Sequence, residues 1–353
     1  MLAPSTAEGT TYMHKKIGLA VTFGFVLAST MVYSGVAHAE EGDGVLEALT
    51  DVTAQSESAA TRVLDDVAGV PTDNDGDSAI DSPVQGAEVV VPTTASEPID
   101  LSIPGSNAGM KITLPFEDQA SPAEALAPGI VAFDNNNDTS TAAVVKDDGS
   151  LVIATVIESV DAPDRYSYTI EGAPGSSLQA QPDGTVFLLD AENANILGGF
   201  LPPWARDAAG NDVPTRYEVS GNELTQIVDL NSPGIVFPVV ADPQAGYTLL
   251  EGVWKNRPGG YVYKNGAQWS TRLSVWGATV WTSGLVGHQT VKTQGWVEWK
   301  NGVAPEMTTV HEQFDCHAVF GYAIWQAGIW WDFETARASH PNWFTDPQNC
   351  NWA

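Results

Sequence analysis

Between Gly42 and Gly287 the sequence has neither a cysteine nor a histidine. Cysteine nucleophiles and imidazole acid–base chemistry are therefore excluded from the middle of the chain. No nucleophile elbow, phosphate loop or metal-ligand spacing appears there either. Basic residues are scarce, 15 Lys and Arg against 44 Asp and Glu, giving a net charge of −29. That balance argues against nucleic acid and anionic lipid as partners. The imbalance is uneven: residues 40–100 carry −14 and residues 101–245 carry −15, whereas residues 246–353 are close to neutral at −1. Residues 40–98 lack aromatic side chains altogether and are rich in Ala, Ser, Thr, Asp and Glu. Such a stretch buries too little apolar area to offset its ordering entropy, so a largely disordered acidic linker is expected.

Long apolar runs are missing too, except near the start. Met13-His14-Lys15-Lys16 opens a basic region, Ile17 to Leu27 is apolar, and Ala37-His38-Ala39 forms an A-x-A site. Small and polar residues from Ser29 to Ser34 break the run short of the about 20 residues a membrane span needs. Residues 1–39 are thus expected to be a leader and signal peptide, cleaved before Glu40. The mature protein would be secreted or held at the cell surface, with no stable membrane span. In an oxidising compartment Cys316 and Cys350, the only cysteines, form a disulfide by default. A reactive thiol is the alternative.

Within 40–98, Val45, Leu49 and Val52, then Val63, Val67 and Val70, fall near helical spacing and allow a marginal helix. Asp73-Asn74-Asp75-Gly76-Asp77 starts like a calcium loop, but Ser78 stands where that loop needs Gly and Val84 where it needs Glu. An acidic spacer is the reading kept.

From 99 to 243 short apolar runs such as Leu151-Val-Ile-Ala-Thr-Val-Ile and Arg216-Tyr-Glu-Val alternate with turn signals such as Pro182-Asp183-Gly184 and Ser220-Gly221-Asn222. This texture predicts an antiparallel β-domain. The stretches Leu201-Pro-Pro-Trp-Ala-Arg-Asp, Leu224-Thr-Gln-Ile-Val-Asp and Pro238-Val-Val-Ala-Asp-Pro243 resemble a β-rich module of secreted actinobacterial proteins. The resemblance implies a presenting module rather than an enzyme, with a boundary near Pro243.

Eleven of the 12 tryptophans lie beyond that boundary, in 246–353. Val291 to Lys300 alternates apolar and polar residues and reads as a half-buried strand. So does Ile329 to Glu334. The whole is therefore expected to be all-β: two β-domains of sandwich or barrel type, after the signal peptide and the disordered acidic linker. The tryptophan excess points to stacking platforms for a ligand, with Trp296, Trp330 and Trp343 as candidates; the alternative is that they fill the core.

Taken as a strand, Met307 to Val319 puts His311, Asp315 and His317 on one face, Asp315 and His317 roughly 6.6 Å apart. An Asp beside a His orients the imidazole and raises its basicity. His311, Asp315 and His317, with Glu334 as a second carboxylate, are the catalytic candidates; a solvated polar face is the plainer reading. His311-Glu312 does not open the zinc-protease motif, because Asp315 stands where that motif needs a second His. Asp332 could also supply a carboxylate, and Glu334 could instead pair with Arg337. Cys316-His317, Trp331-Asp332-Phe333-Glu334-x-x-Arg337 and Cys350-Asn351 resemble a C-terminal domain of unknown function of secreted actinobacterial proteins, over roughly 246–353. Here Ala338 stands where that pattern has Pro. The resemblance supports Cys316–Cys350 pairing and implies no catalytic assignment. No cofactor motif and no metal-ligand set is visible. Two functions remain: a cell-wall or surface-ligand binding module, with a glycan as one candidate ligand, and a secreted hydrolase or toxin-like effector.

Overall fold

The computed structural model describes residues 36–56, 61–73, 76–260, 262–302, 304–324, 330–345, 350 and 352. Most of the expected signal peptide lies outside these residues. Helix α1 (Val36–Gln55) comes first. Ten strands follow in chain order: β1 (Ser78–Val84), β2 (Ala87–Pro92), β3 (Ile99–Ser102), β4 (Gly109–Thr113), β5 (Glu124–Ala127), β6 (Ile130–Asp134), β7 (Thr139–Val145), β8 (Leu151–Ile157), β9 (Arg165–Glu171) and β10 (Ser177–Ala180). Then come β11 (Val186–Leu189), β12 (Ile196–Phe200), β13 (Ala205–Asp207), β14 (Thr215–Ser220), β15 (Glu223–Val228), β16 (Val239–Ala241) and β17 (Gln244–Gly246). The last part holds β18 (Trp254–Lys255), β19 (Gln268–Thr271), α2 (Val275–Thr282), α3 (Leu285–Asn301), α4 (Thr308–Ile324) and β20 (Trp331–Glu334).

The chain is mostly β, as its strand texture predicts: 20 strands in three antiparallel sheets, against four α-helices, among the described residues. Seven strands run in the order β1-β2-β3-β4-β9-β15-β14. A ten-stranded sheet runs β10-β11-β12-β17-β8-β7-β6-β5, with β16 pairing β8 and β13. Their inner faces share one core, in which Leu101, Ile112 and Tyr168 of the first sheet join Phe133, Val145, Ile153 and Phe200 of the second. This is sandwich packing rather than a closed barrel.

Strands β7 and β8 are buried at every position. A strand hydrophobic on both sides needs cover on both sides. Ala143, Val145, Leu151 and Ile153 face the sandwich core. Ala142, Val144, Val152, Ala154 and Val156 face outward, where Val45, Leu49 and Val52 of α1 cover them. The expected disordered linker at 40–98 is corrected here, because most of α1 and all of β1 and β2 lie within it. Judged alone the segment has too little apolar area; the outer face of the sheet supplies the missing surface. Asn74 and Asp75 of the calcium-like run lie outside the described residues.

β17 crosses the boundary expected near Pro243 and pairs with both β12 and β8. Beyond it, Trp276, Val280 and Trp299 share a core with Phe187, Leu189 and Ile196 of the sandwich. The approach is close: a Cβ at Gly246 would sit 2.4 Å from the Trp276 ring, and one at Gly277 would sit 2.0 Å from the Leu249 carbonyl oxygen. At this seam the Glu298 carboxylate accepts the Leu249 and Leu250 backbone N–H groups at 2.8–2.9 Å.

Two segments read as strands are helices. In 291–300, Val291, Gly295 and Trp299 recur every four residues and line the inner face of α3, with Val291 and Trp299 fully buried. In 307–319, Val310, Phe314 and Ala318 do the same in α4, all fully buried. Both segments satisfy either period locally, and the four-residue repeat of their largest apolar residues decides. A third segment, Gly277-Ala-Thr-Val-Trp281, also reads as a strand in the sequence but lies in α2, whose N-terminus is capped by the Ser274 hydroxyl accepting the Gly277 N–H at 2.9 Å.

Candidate functional site

Because α4 is a helix, the expected His311–Asp315–His317 face is divided. His311 and Asp315, four residues apart, share a face, with His311 Nε2 3.4 Å from Asp315 Oδ1. His317 turns the other way, into the core, where it is buried against the Trp331 and Phe333 rings at 5.7 and 5.4 Å. Burial pushes its pKa down to about 3, so it stays neutral. Glu334 is also buried, and its carboxylate accepts from Arg337 Nε at 2.6 Å. Neither His317 nor Glu334 joins the His311–Asp315 pair.

Asp332 belongs to a different cluster. It accepts a bidentate pair from Arg257, Nε at 2.9 Å and Nη2 at 2.7 Å, together with the Ser270 hydroxyl at 2.6 Å and Gln268 Nε2 at 2.8 Å. Trp330 is half-buried beside it, with the Arg257 and Arg272 guanidinium groups 4.8 and 5.1 Å from its ring and Trp254 edge-on at 4.8 Å. Two guanidinium groups and a second indole thus share that ring's surface.

The His311–Asp315 pair does gather other candidates. Trp296 of α3 is buried and stacks flat on the His311 ring, centroids 4.0 Å apart and planes 5° from parallel. Lys292 of the same helix reaches Asp315 Oδ2 at 3.3 Å and also lies 5.5 Å over the Trp343 ring. Trp343 is half-buried, edge-on to Phe320 at 5.7 Å and to Phe344 at 6.0 Å. Phe344 is 57% exposed. The result is one ridge running Trp296, His311, Asp315, Lys292, Trp343, Phe344. Lys292, Phe320 and Phe344 went unread in the sequence, because only the fold of α4 against α3 brings them to the histidine. Burial holds the His311 imidazole below its ordinary range, Lys292 and Lys300 adding to this while Asp315 opposes it. Burial likewise raises Asp315, against the pull of His311 and Lys292. A mostly neutral imidazole on a half-buried carboxylate can accept a proton or a hydrogen bond from a ligand.

The tryptophans divide the same way. Trp276, Trp281, Trp296, Trp299, Trp331 and Trp352 are buried, and Phe314 lies among Trp296, Trp299 and Trp331 at 5.5–6.2 Å. The core reading holds for these. Cys316 and Cys350 form the expected disulfide, their Cα atoms 5.4 Å apart. The residues of the C-terminal pattern build scaffold: Arg337, buried by Glu334, lies 4.3 Å from the Tyr263 ring and donates to the Trp352 carbonyl.

Among the described residues no three His, Cys, Asp or Glu side chains converge as metal ligands, and no helix is long and apolar enough to cross a membrane. No known protein family, curated protein or solved structure matches the chain.

Proposed function

We propose that this protein is an exported or surface-held binding module that takes a cell-wall or surface ligand, a glycan by preference, on the ridge between α3 and α4. The observation that carries this reading is the continuity of Phe344, Trp343 and Lys292 with the Asp315–His311 pair. Apolar ring surface next to a carboxylate, an ammonium and an imidazole suits a polyhydroxylated ligand, which offers C–H faces and hydroxyl groups together. The expected export signal and the disulfide support the location. Two of the four catalytic candidates lie in the core, which weakens the hydrolase reading.

That second reading keeps one specific support, the 3.4 Å contact between His311 and Asp315 on an accessible helix face. A single experiment separates the two. The full chain is sedimented with insoluble cell-wall polysaccharide and the supernatant analysed by mass spectrometry. Co-sedimentation without soluble fragments, weakened about tenfold or more by Trp343→Ala or Phe344→Ala, is expected of the binding module. Soluble fragments that vanish in His311→Ala would establish the hydrolase instead. Protein that stays in solution refutes the wall as ligand.

A further inference from the structure

The outer strands of the two large sheets differ in how their free edges are guarded. β1 carries Pro83 and a register shift between Ser78 and Ile80. β5 has a shift between Ala125 and Ala127, and Leu126 and Ala127 pack into the cluster under α1. β10 has four residues and lies between Pro174 and Pro182. A bulge, a proline, a cover or a short length each discourages a further strand from joining. β14 has none of these. Its six residues, Thr215–Ser220, pair with β15 without a shift and include neither proline nor lysine.

The hairpin geometry tells which backbone groups of β14 are free. Gly221 and Asn222 form a two-residue loop, so Ser220 and Glu223 close it as a hydrogen-bonded pair. Such pairs alternate along a ladder. β15 accordingly directs Leu224, Gln226 and Val228 to its other neighbour, and the Val228 N–H donates to the Asp164 carbonyl at 2.9 Å. By the same alternation Arg216, Glu218 and Ser220 direct their backbone groups to β15, while Thr215, Tyr217 and Val219 direct theirs outward. Among the described residues no backbone group outside β15 bonds to those three.

The side chains decide what suits this edge. Tyr217 and Val219 pack against the sandwich core, whereas Arg216 and Glu218 are exposed on the outer face. A second β14 laid antiparallel, Tyr217 opposite Tyr217, puts Arg216 of each strand opposite Glu218 of the other and Thr215 opposite Val219. Tyr217 and the Thr215–Val219 pairs then exchange hydrogen bonds. The Arg216–Glu218 pairs fall at the closer, non-bonded positions, with Cα atoms about 4.5 Å apart, where opposite charges stabilise a sheet. The edge is therefore complementary to itself. Within its own chain Glu218 lies 2.8 Å from Arg165 and 3.2 Å from Arg216, so a second strand's Arg216 needs to replace only the latter. Together with Glu223 these side chains form a charge-balanced patch on a chain of net charge −29.

We propose that two copies of this chain join edge to edge through β14, antiparallel about Tyr217, so that their seven-stranded sheets continue as one.

The test is sedimentation velocity of the full chain from about 1 to about 500 μM in about 0.15 M salt, which screens charges more than roughly 8 Å apart. A reversible monomer–dimer equilibrium is expected. Arg216→Glu and Glu218→Arg should each weaken it at least tenfold by setting like charges opposite each other, and the double variant Arg216→Glu/Glu218→Arg should restore it. Both side chains are exposed, and melting temperatures check that all three variants fold. Trp343→Ala should dimerise as the parent does, which separates this edge from the ridge. A chain that stays monomeric throughout, a dimer that either single reversal leaves unchanged, a folded double variant that stays monomeric, or a dimer lost in Trp343→Ala would each overturn the proposal.

Discussion

His317 shows how far the environment of a single side chain governs its role. Packed between Trp331 and Phe333, it cannot exchange protons with a substrate, and its position is one of support. His317→Ala should lower stability by about 2–4 kcal/mol, as large-to-small core changes do, measured by denaturant unfolding. Its titration has a sign. The folded pKa of about 3 lies below the ordinary 6.5, so the unfolded chain takes up a proton first, and stability falls as pH drops from 6.5 to 3. His317→Phe keeps a ring there and should flatten that fall in melting temperature. An unchanged acid slope would show that other groups control it. In the sequence the residue looked like one of three on a shared face; only its relation to the four-residue repeat of Val310, Phe314 and Ala318 marks the helix, and its burial depends on Trp331, on a separate strand. Glu334 was more legible. Its pairing with Arg337, three residues on, needs only local geometry.

At the scale of elements, α2 packs closely on the chain that leaves β17. Gly277 faces the Leu249 carbonyl oxygen so nearly that a methyl group cannot fit without moving backbone. Gly277→Ala should therefore destabilise by about 1–3 kcal/mol or more, although alanine is the better helix former; thermal unfolding measures it. The edge of β20 is tied to α4 in a comparable way. Gln313 accepts the Glu334 N–H at 3.0 Å and donates to the Glu334 carbonyl at 3.2 Å, as a neighbouring strand would. The sandwich strands were readable because β9 alternates, with Tyr166, Tyr168 and Ile170 inward, and because turns such as Ser220-Gly221-Asn222 separate β14 from β15. The helices near the C-terminus were not. Their tryptophans and valines fit period two over short windows, and strand and helix diverge only when the window spans two full turns.

For the whole molecule, Glu298 opposes His317. Its carboxyl is raised to about 8 by burial at the seam, against the pull of the Leu249 and Leu250 amides. The unfolded chain ionises near 4.5 while the folded chain holds its proton, so stability falls as pH rises from 4.5 to 8. The two contributions cancel between 4.5 and 6.5 and act alone outside it. Glu298→Gln should therefore lessen the fall of melting temperature between pH 6.5 and 8, a fall to which the buried Asp242 carboxyl, also raised by burial, contributes. Reduction of Cys316–Cys350 should cost about 3–4 kcal/mol in the chain-entropy model for a separation of 34 residues, read from unfolding with and without reductant. An excised 246–353 fragment should fail to fold cooperatively, since its core includes Phe187, Leu189 and Ile196. That dependence was hidden in the sequence, where the change in charge and tryptophan content at 243 reads as a seam between independent units.

The position of α1 bears on maturation. The A-x-A site at Ala37–Ala39 lies inside the first turn of this helix, and the side chains that anchor it, Val45, Leu49 and Val52, all lie downstream. A signal peptidase cut after Ala39 would shorten the helix by about one turn and leave its attachment to the sheet intact. The new amino terminus would open on Glu40, Glu41 and Asp43, three acidic residues where the helix dipole favours negative charge. Removal of residues 1–39 would then leave the packing of α1 on the sheet in place.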